Sequence, residues 1–137
     1  MRVRSWIPAA ALAVWTLVVW VGRVRLVFEL DELSGLARAG RLALAASFLA
    51  LGAAALVGAL RARQGRVEAW AASAVGLLAL WSLVHWGVRG VLILGREYSV
   101  GFKAVHSVLA LASIGLALWA LRSQRAAAAA SSGRLPR

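Results

Sequence analysis

The chain has 137 residues, of which 62% are hydrophobic and 15% charged, against roughly 45–50% and 25% in a soluble domain, so it is read as a membrane protein of about one domain, too short for a two-domain enzyme. With no cysteine it has no disulfide, thiolate nucleophile, zinc–cysteine site or iron–sulfur ligation, which also excludes a quinone-linked thiol oxidase. The formal net charge is +11, but the arginines are spread between apolar segments, so anionic lipid head groups are the expected counter-charge and nucleic acid is not an expected partner.

The first apolar run, Trp6 to Val21, follows Arg2 and Arg4 and ends in Trp20-Val21-Gly22-Arg23. No small-residue cleavage site closes it, so it is expected to stay in the membrane as a helix rather than be removed as a signal peptide. Pro8 falls in the first turns, where its missing N–H costs least. The second run, Leu42 to Leu60, is free of charge between Arg41 and Arg61 and spans about 30 Å of hydrocarbon as a helix. The third, Ala69 to Val88, and the fourth, Ala104 to Leu121, hold His85 and His106 as their only titratable groups. The short link Arg61 to Arg66 forces the second and third helices antiparallel. Ser34 and Ser99 are good N-caps just before the second and fourth runs. The expectation is an all-α, polytopic four-helix bundle with helices at about 5–30, 34–62, 67–95 and 99–123. Its turns would lie near Asp31-Glu32-Leu33 and Gly95-Arg96-Glu97-Tyr98. Residues 1–125 would form the single transmembrane domain, and 126–137 a disordered basic tail.

The strings Trp15-Thr16-Leu17-Val18-Val19-Trp20 and Trp81-Ser82-Leu83-Val84-His85-Trp86 correspond at an offset of 66 residues. The same offset sets Arg23 on Arg89, Gly35 on Gly101 and Ser47 on Ser113. Two tryptophans and an arginine in register point to two tandem helical hairpins, a parallel repeat whose twofold axis would lie along the bilayer normal. Arginines are balanced between the two sides. Four of the five acids fall in the outer connections, and with Arg134 and Arg137 in the tail this favours both termini in the cytoplasm.

Several positions stand out against this frame. His85 and His106 occur only in the second repeat, where Val19 and Gly40 stand in the first. Counted from the turn near Glu97 they share a depth within about 5 Å, each one turn from a cation, Arg89 or Lys103. His85, Arg89, Lys103 and His106 are therefore a candidate ligand or anion cluster. It could hold an anionic lipid head group, or haem between the two histidines; otherwise both rings are structural at an interface. A metal site is not expected, because no carboxylate or thiolate joins the histidines at ligand spacing. Arg23 and Arg89 would be repeat mates that either snorkel to Glu29, Asp31, Glu32 and Glu97 or line a pocket for a phosphate or carboxylate. Trp6, Trp20, Trp70, Trp86 and Trp119 read as interfacial anchors, and the mates Trp15 and Trp81 as interhelix core. Ala46, Ala50, Ala54 and Gly58 form a small-residue stripe for close helix packing, within the chain or in a homodimer.

No P-loop, dinucleotide turn, GxSxG, HExxH, catalytic carboxylate pair or EF-hand loop occurs in the sequence. The preference for arginine over lysine and the richness in alanine give the chain a high-GC bacterial character. It resembles the small uncharacterised four-helix integral membrane proteins of actinobacterial type. The resemblance covers the four spans and implies the bacterial plasma membrane, with no activity and no site residues attached. The function expected is that of a non-enzymatic accessory or partner-binding membrane protein. The alternatives are a redox or ligand-carrying protein at the His85/His106 level and, last, a small transporter, for which the spans offer few polar residues.

Overall fold

In a computed structural model, which describes residues 6–29 and 34–132, the chain forms α1 (Trp6–Glu29), α2 (Gly35–Arg63), α3 (Ala69–Leu94) and α4 (Val100–Ser132). No strand occurs among the described residues, and all four helices are long and apolar enough to cross a bilayer. The protein is an all-α, multi-pass membrane four-helix bundle. At 1.5 Å per residue the helices measure about 36–50 Å, matching about 30 Å of hydrocarbon plus the head-group layers. Large apolar side chains such as Val18, Val21, Leu77, Val84, Val88 and Leu111 face outward, a surface suited to lipid and too apolar for water. Arg2, Arg4, the turn expected at Asp31-Glu32-Leu33, and residues 133–137 of the tail lie outside the described residues.

Local chemistry sets the helix ends. The Ser34 hydroxyl accepts from the Ala37 N–H and the Ser99 hydroxyl from the Phe102 N–H, both at 3.3 Å, satisfying donors that have no partner within the helix. Gly65, at φ +84°, ends α2. Its N–H donates to the Ala62 carbonyl and that of Arg66 to the Arg61 carbonyl, the paired bonds of a left-handed C-terminal cap that glycine adopts without steric cost. The chain turns there into α3. At its far end α4 departs from expectation, because residues 126–132, read as part of a disordered tail, continue the helix to Ser132. Five consecutive alanines carry the highest intrinsic helix propensity. The expectation of disorder weighed the lack of an apolar period and missed that propensity.

The helices pack on seams of alternating three- and four-residue steps. Ala45, Phe48, Gly52, Ala55 and Ala59 are buried on α2, and Ala110, Ser113, Ala117 and Ala120 on α4, the spacing of left-handed bundles. The expected stripe of Ala46, Ala50, Ala54 and Gly58 is not this seam: Ala46 and Ala50 are exposed, Ala54 is half-buried and Gly58 alone is buried. Steps of four advance about 40° round the helix each time, so such a stripe cannot stay on one face.

The buried positions of α1 are Pro8, Ala9, Leu12, Ala13, Thr16, Trp20 and Val27. Those of α3, Ala74, Val75, Leu78, Ala79, Ser82, Trp86 and Ile93, are the same positions advanced by 66 residues. Across the hairpins the Trp15 Nε1–H donates to Ser113 Oγ at 2.9 Å, and the Trp81 Nε1–H to Ser47 Oγ at 3.2 Å. The donors and the acceptors are each 66 residues apart. The caps Ser34 and Ser99 are 65 apart, and the two connections, 30–34 and 95–99, each have five residues. Each helix packs against its two neighbours round the bundle, and α1 also meets α3 across the diagonal, whereas α2 and α4 do not touch.

Candidate functional site

Continued towards the turns that join α1 to α2 and α3 to α4, three of the seams carry an arginine at one level. Three residues past Trp20 stands Arg23, three past Trp86 stands Arg89, and four before Ala45 stands Arg41. Each lies five or six residues inside its helix end, about 8–9 Å along the axis. The three arginines and His85 line one cavity of about 160 Å³, with Trp20, Leu26, Val27, Leu44 and Ala45 as its apolar walls. Its volume is close to that of an engineered protein cavity of about 150 Å³ that takes one benzene.

Below the arginines the floor is aromatic. Trp20 stacks on Phe48 with centroids 4.1 Å apart and planes 10° apart. The His85 ring meets Trp20 at 5.2 Å, Phe48 at 5.3 Å and Trp86 at 5.5 Å, each edge-on. Trp20 and Trp86, expected as interfacial anchors, are 5% and 2% exposed, because they continue the buried seam of their helices. Trp81, expected in the interhelix core, is 40% exposed and meets the bundle through its N–H and a tilted ring contact with Phe48 at 6.0 Å.

The guanidinium of Arg23 lies over the Trp86 ring, 5.8 Å from its centroid, an attraction between a cation and the negative face of the ring. Its Nη2 is buried with no hydrogen-bond partner. The expected salt bridges to Glu29 and Glu97 do not form at the cavity, since neither residue lines it; Asp31 and Glu32 lie outside the described residues. Among the described residues, then, this cavity brings together three arginines and a histidine without an acidic side chain.

His106 and Lys103, grouped by sequence with His85 and Arg89, do not line this cavity. His106 Nδ1 lies 2.9 Å from the Phe102 carbonyl, which can only accept, so Nδ1 carries the proton. The ring stacks on Phe102 at 3.9 Å, and Phe102 in turn meets Tyr98. Lys103 Nζ donates to the Leu94 carbonyl at 3.4 Å, closing the C-terminal turn of α3, where a cation also meets the negative end of the helix dipole. Arg41, Phe48, Trp20 and Trp86 were not singled out as site residues from sequence. The three-and-four spacing of small and aromatic residues, followed outward until it lands on an arginine, is the signal that finds them.

The opposite end of the bundle is arranged differently. There Arg61 Nη1 donates to both oxygens of Glu68 at 3.0 Å, the Trp70 N–H donates to the same carboxylate, Arg61 lies over Trp70 and Arg63 over Trp6. At that end Arg61 and Arg63 have partners within the chain. A second cavity of about 300 Å³ between the starts of α1 and α3 and the ends of α2 and α4 has alanines as half of its wall, and Gln124 Nε2 donates to the Ala72 carbonyl beside it. Compared with protein-family models, curated proteins and solved structures, the chain matches none of them.

Proposed function

We propose that this is a non-enzymatic accessory protein of the bacterial plasma membrane that binds an anionic ligand through Arg23, Arg41, Arg89 and His85. The observation that carries the reading is the buried, unpartnered Nη2 of Arg23 in a cavity shared with two further arginines and no described acid. A buried guanidinium nitrogen without a hydrogen-bond partner is costly, and like charges converging from three helices add repulsion. An anion there offsets both. The two hairpins are read as products of a tandem duplication, which the offset of the buried positions in α1 and α3 supports. With both termini in the cytoplasm the cavity belongs to the outer leaflet.

The rival readings draw less support. A haem carrier needs His85 and His106 on one iron, but His106 does not share the cavity of His85. A transporter needs a polar path, and the mid-span hydroxyls of Ser47 and Ser113 are engaged by tryptophan N–H groups.

The test is thermal unfolding of the purified full chain in detergent at low salt, with and without added multivalent anions. Anion raises the melting temperature of the wild type, since binding to the folded state at a hundredfold excess over Kd adds about 2.7 kcal/mol. Arg23→Gln starts more stable, relieved of an unpaired charge, and gains much less. A wild type indifferent to every anion sinks the reading.

A further inference from the structure

Resting on that anion-binding reading, we infer that the group held at this cavity is a phosphate, gripped by the guanidinium groups of Arg23, Arg41 and Arg89. Three features select it. Guanidinium presents five N–H donors in a planar fork matched to phosphate and carboxylate oxygens, but a single carboxylate holds its acceptor sites in one plane, where one bidentate arginine covers the edge between the two oxygens. Three arginines from three different helices call for an acceptor that presents oxygens in several directions. A tetrahedral phosphate does so, and it carries up to about two negative charges as a monoester and one as a diester.

Size and depth agree. A cavity of about 160 Å³ is below the roughly 300–1,000 Å³ of sites for drug-sized ligands, so it takes one compact group rather than a whole nucleotide or sugar. Its arginines sit about 8–9 Å in from the helix ends. If α3, about 39 Å long, is centred on about 30 Å of hydrocarbon, Arg89 has its Cα just inside the hydrocarbon boundary and its side chain reaching the head-group layer. The same cavity has Leu26, Val27 and Leu44 in its wall, which gives a phosphate an apolar neighbour on the lipid side. A phospholipid head group and a free phosphate ester both supply this chemistry.

The experiment uses the full chain purified in a phosphate-free maltoside detergent. Melting temperature is followed against inorganic phosphate, citrate and chloride at matched ionic strength, and again after transfer into phosphatidylcholine vesicles with and without phosphatidylglycerol. Arg23→Gln and Arg89→Gln remove cavity cations, while Arg25→Gln, on an exposed position of α1 outside the cavity, controls for net charge. Phosphate or phosphatidylglycerol is expected to act at a concentration at least about tenfold below citrate or chloride, a difference of about 1.4 kcal/mol. Both cavity variants should lose that preference, and Arg25→Gln should keep it.

A response to phosphatidylglycerol alone assigns the phosphate to a lipid, and a response to inorganic phosphate assigns it to a soluble ester. Either supports the inference. Citrate or chloride equalling phosphate, with dependence on Arg23 intact, overturns phosphate and leaves the anion site standing. No response to any anion, or equal loss in all three variants, overturns both.

Discussion

Arg23 shows how one side chain departs from the rule of its helix. Every third or fourth residue of α1 from Ala9 to Trp20 is buried against the bundle, and the next step lands on a guanidinium that keeps its place by lying over Trp86. From the sequence alone Arg23 reads equally well as a snorkelling anchor, because the difference rests on which face it occupies. Trp15 and Ser113 pose a simpler case at the same scale. Hydrogen bonds between transmembrane helices average about 0.6 kcal/mol and reach about 1.7. Ser113→Ala, which breaks the 2.9 Å bond to Trp15, is expected to cost about 1 kcal/mol, and Ser47→Ala less, since its bond to Trp81 is 3.2 Å and exposed. Reversible unfolding in mixed micelles, titrated with dodecyl sulfate, measures both. Equal and larger losses would mean that the serines pack rather than pair.

Among the elements, α2 and α3 come closest where Gly58 faces Ala71. A Cβ added at Gly58 would lie 2.5 Å from the Ala71 Cβ and 3.2 Å from its Cα, and the backbone atom leaves little room to give. Gly58→Ala is therefore expected to destabilise by about 1–3 kcal/mol, although alanine is the better helix former. Gly87, on α3, has nothing within 4 Å of its added Cβ. Gly87→Ala should raise stability by up to about 1 kcal/mol. The opposite signs are the check, read from the same unfolding titration, and a gain at both positions would mean that the helices are not in contact at Gly58. Gly58 was picked out from sequence, but within an every-fourth stripe whose other members do not share its face. Periodicity reports a face only when the right period is chosen, and in an alanine-rich helix several periods fit. The continuation of α4 to Ser132 was missed for a related reason: alanines carry helix propensity without an apolar pattern.

For the whole molecule the four spans were the most readable feature, because a run of about 20 apolar residues has few alternatives to a membrane helix. Which leaflet holds the arginine cavity was not, since basic residues are balanced between the two sides. The absence of cysteine makes orientation directly measurable. With both termini in the cytoplasm, Gln64→Cys in the link between α2 and α3 should be shielded from a membrane-impermeant maleimide in intact cells. Glu97→Cys, in the connection before α4, should react with it. The reverse pattern inverts the protein and moves the cavity to the cytoplasmic leaflet. The meeting of His85 with Arg23 was likewise out of reach of sequence, because it depends on α1 and α3 meeting across the diagonal.

Arg23 and Arg89, which the 66-residue offset places on each other, line the same cavity. A chain built from two similar halves ordinarily offers two copies of any site, one per half. Here only that pair corresponds: the same offset sets Ser107 where Arg41 stands and Val19 where His85 stands, so the equivalent place in the other half lacks the third arginine and the histidine. If the cavity binds an anion as proposed, the expected stoichiometry is one ligand per chain.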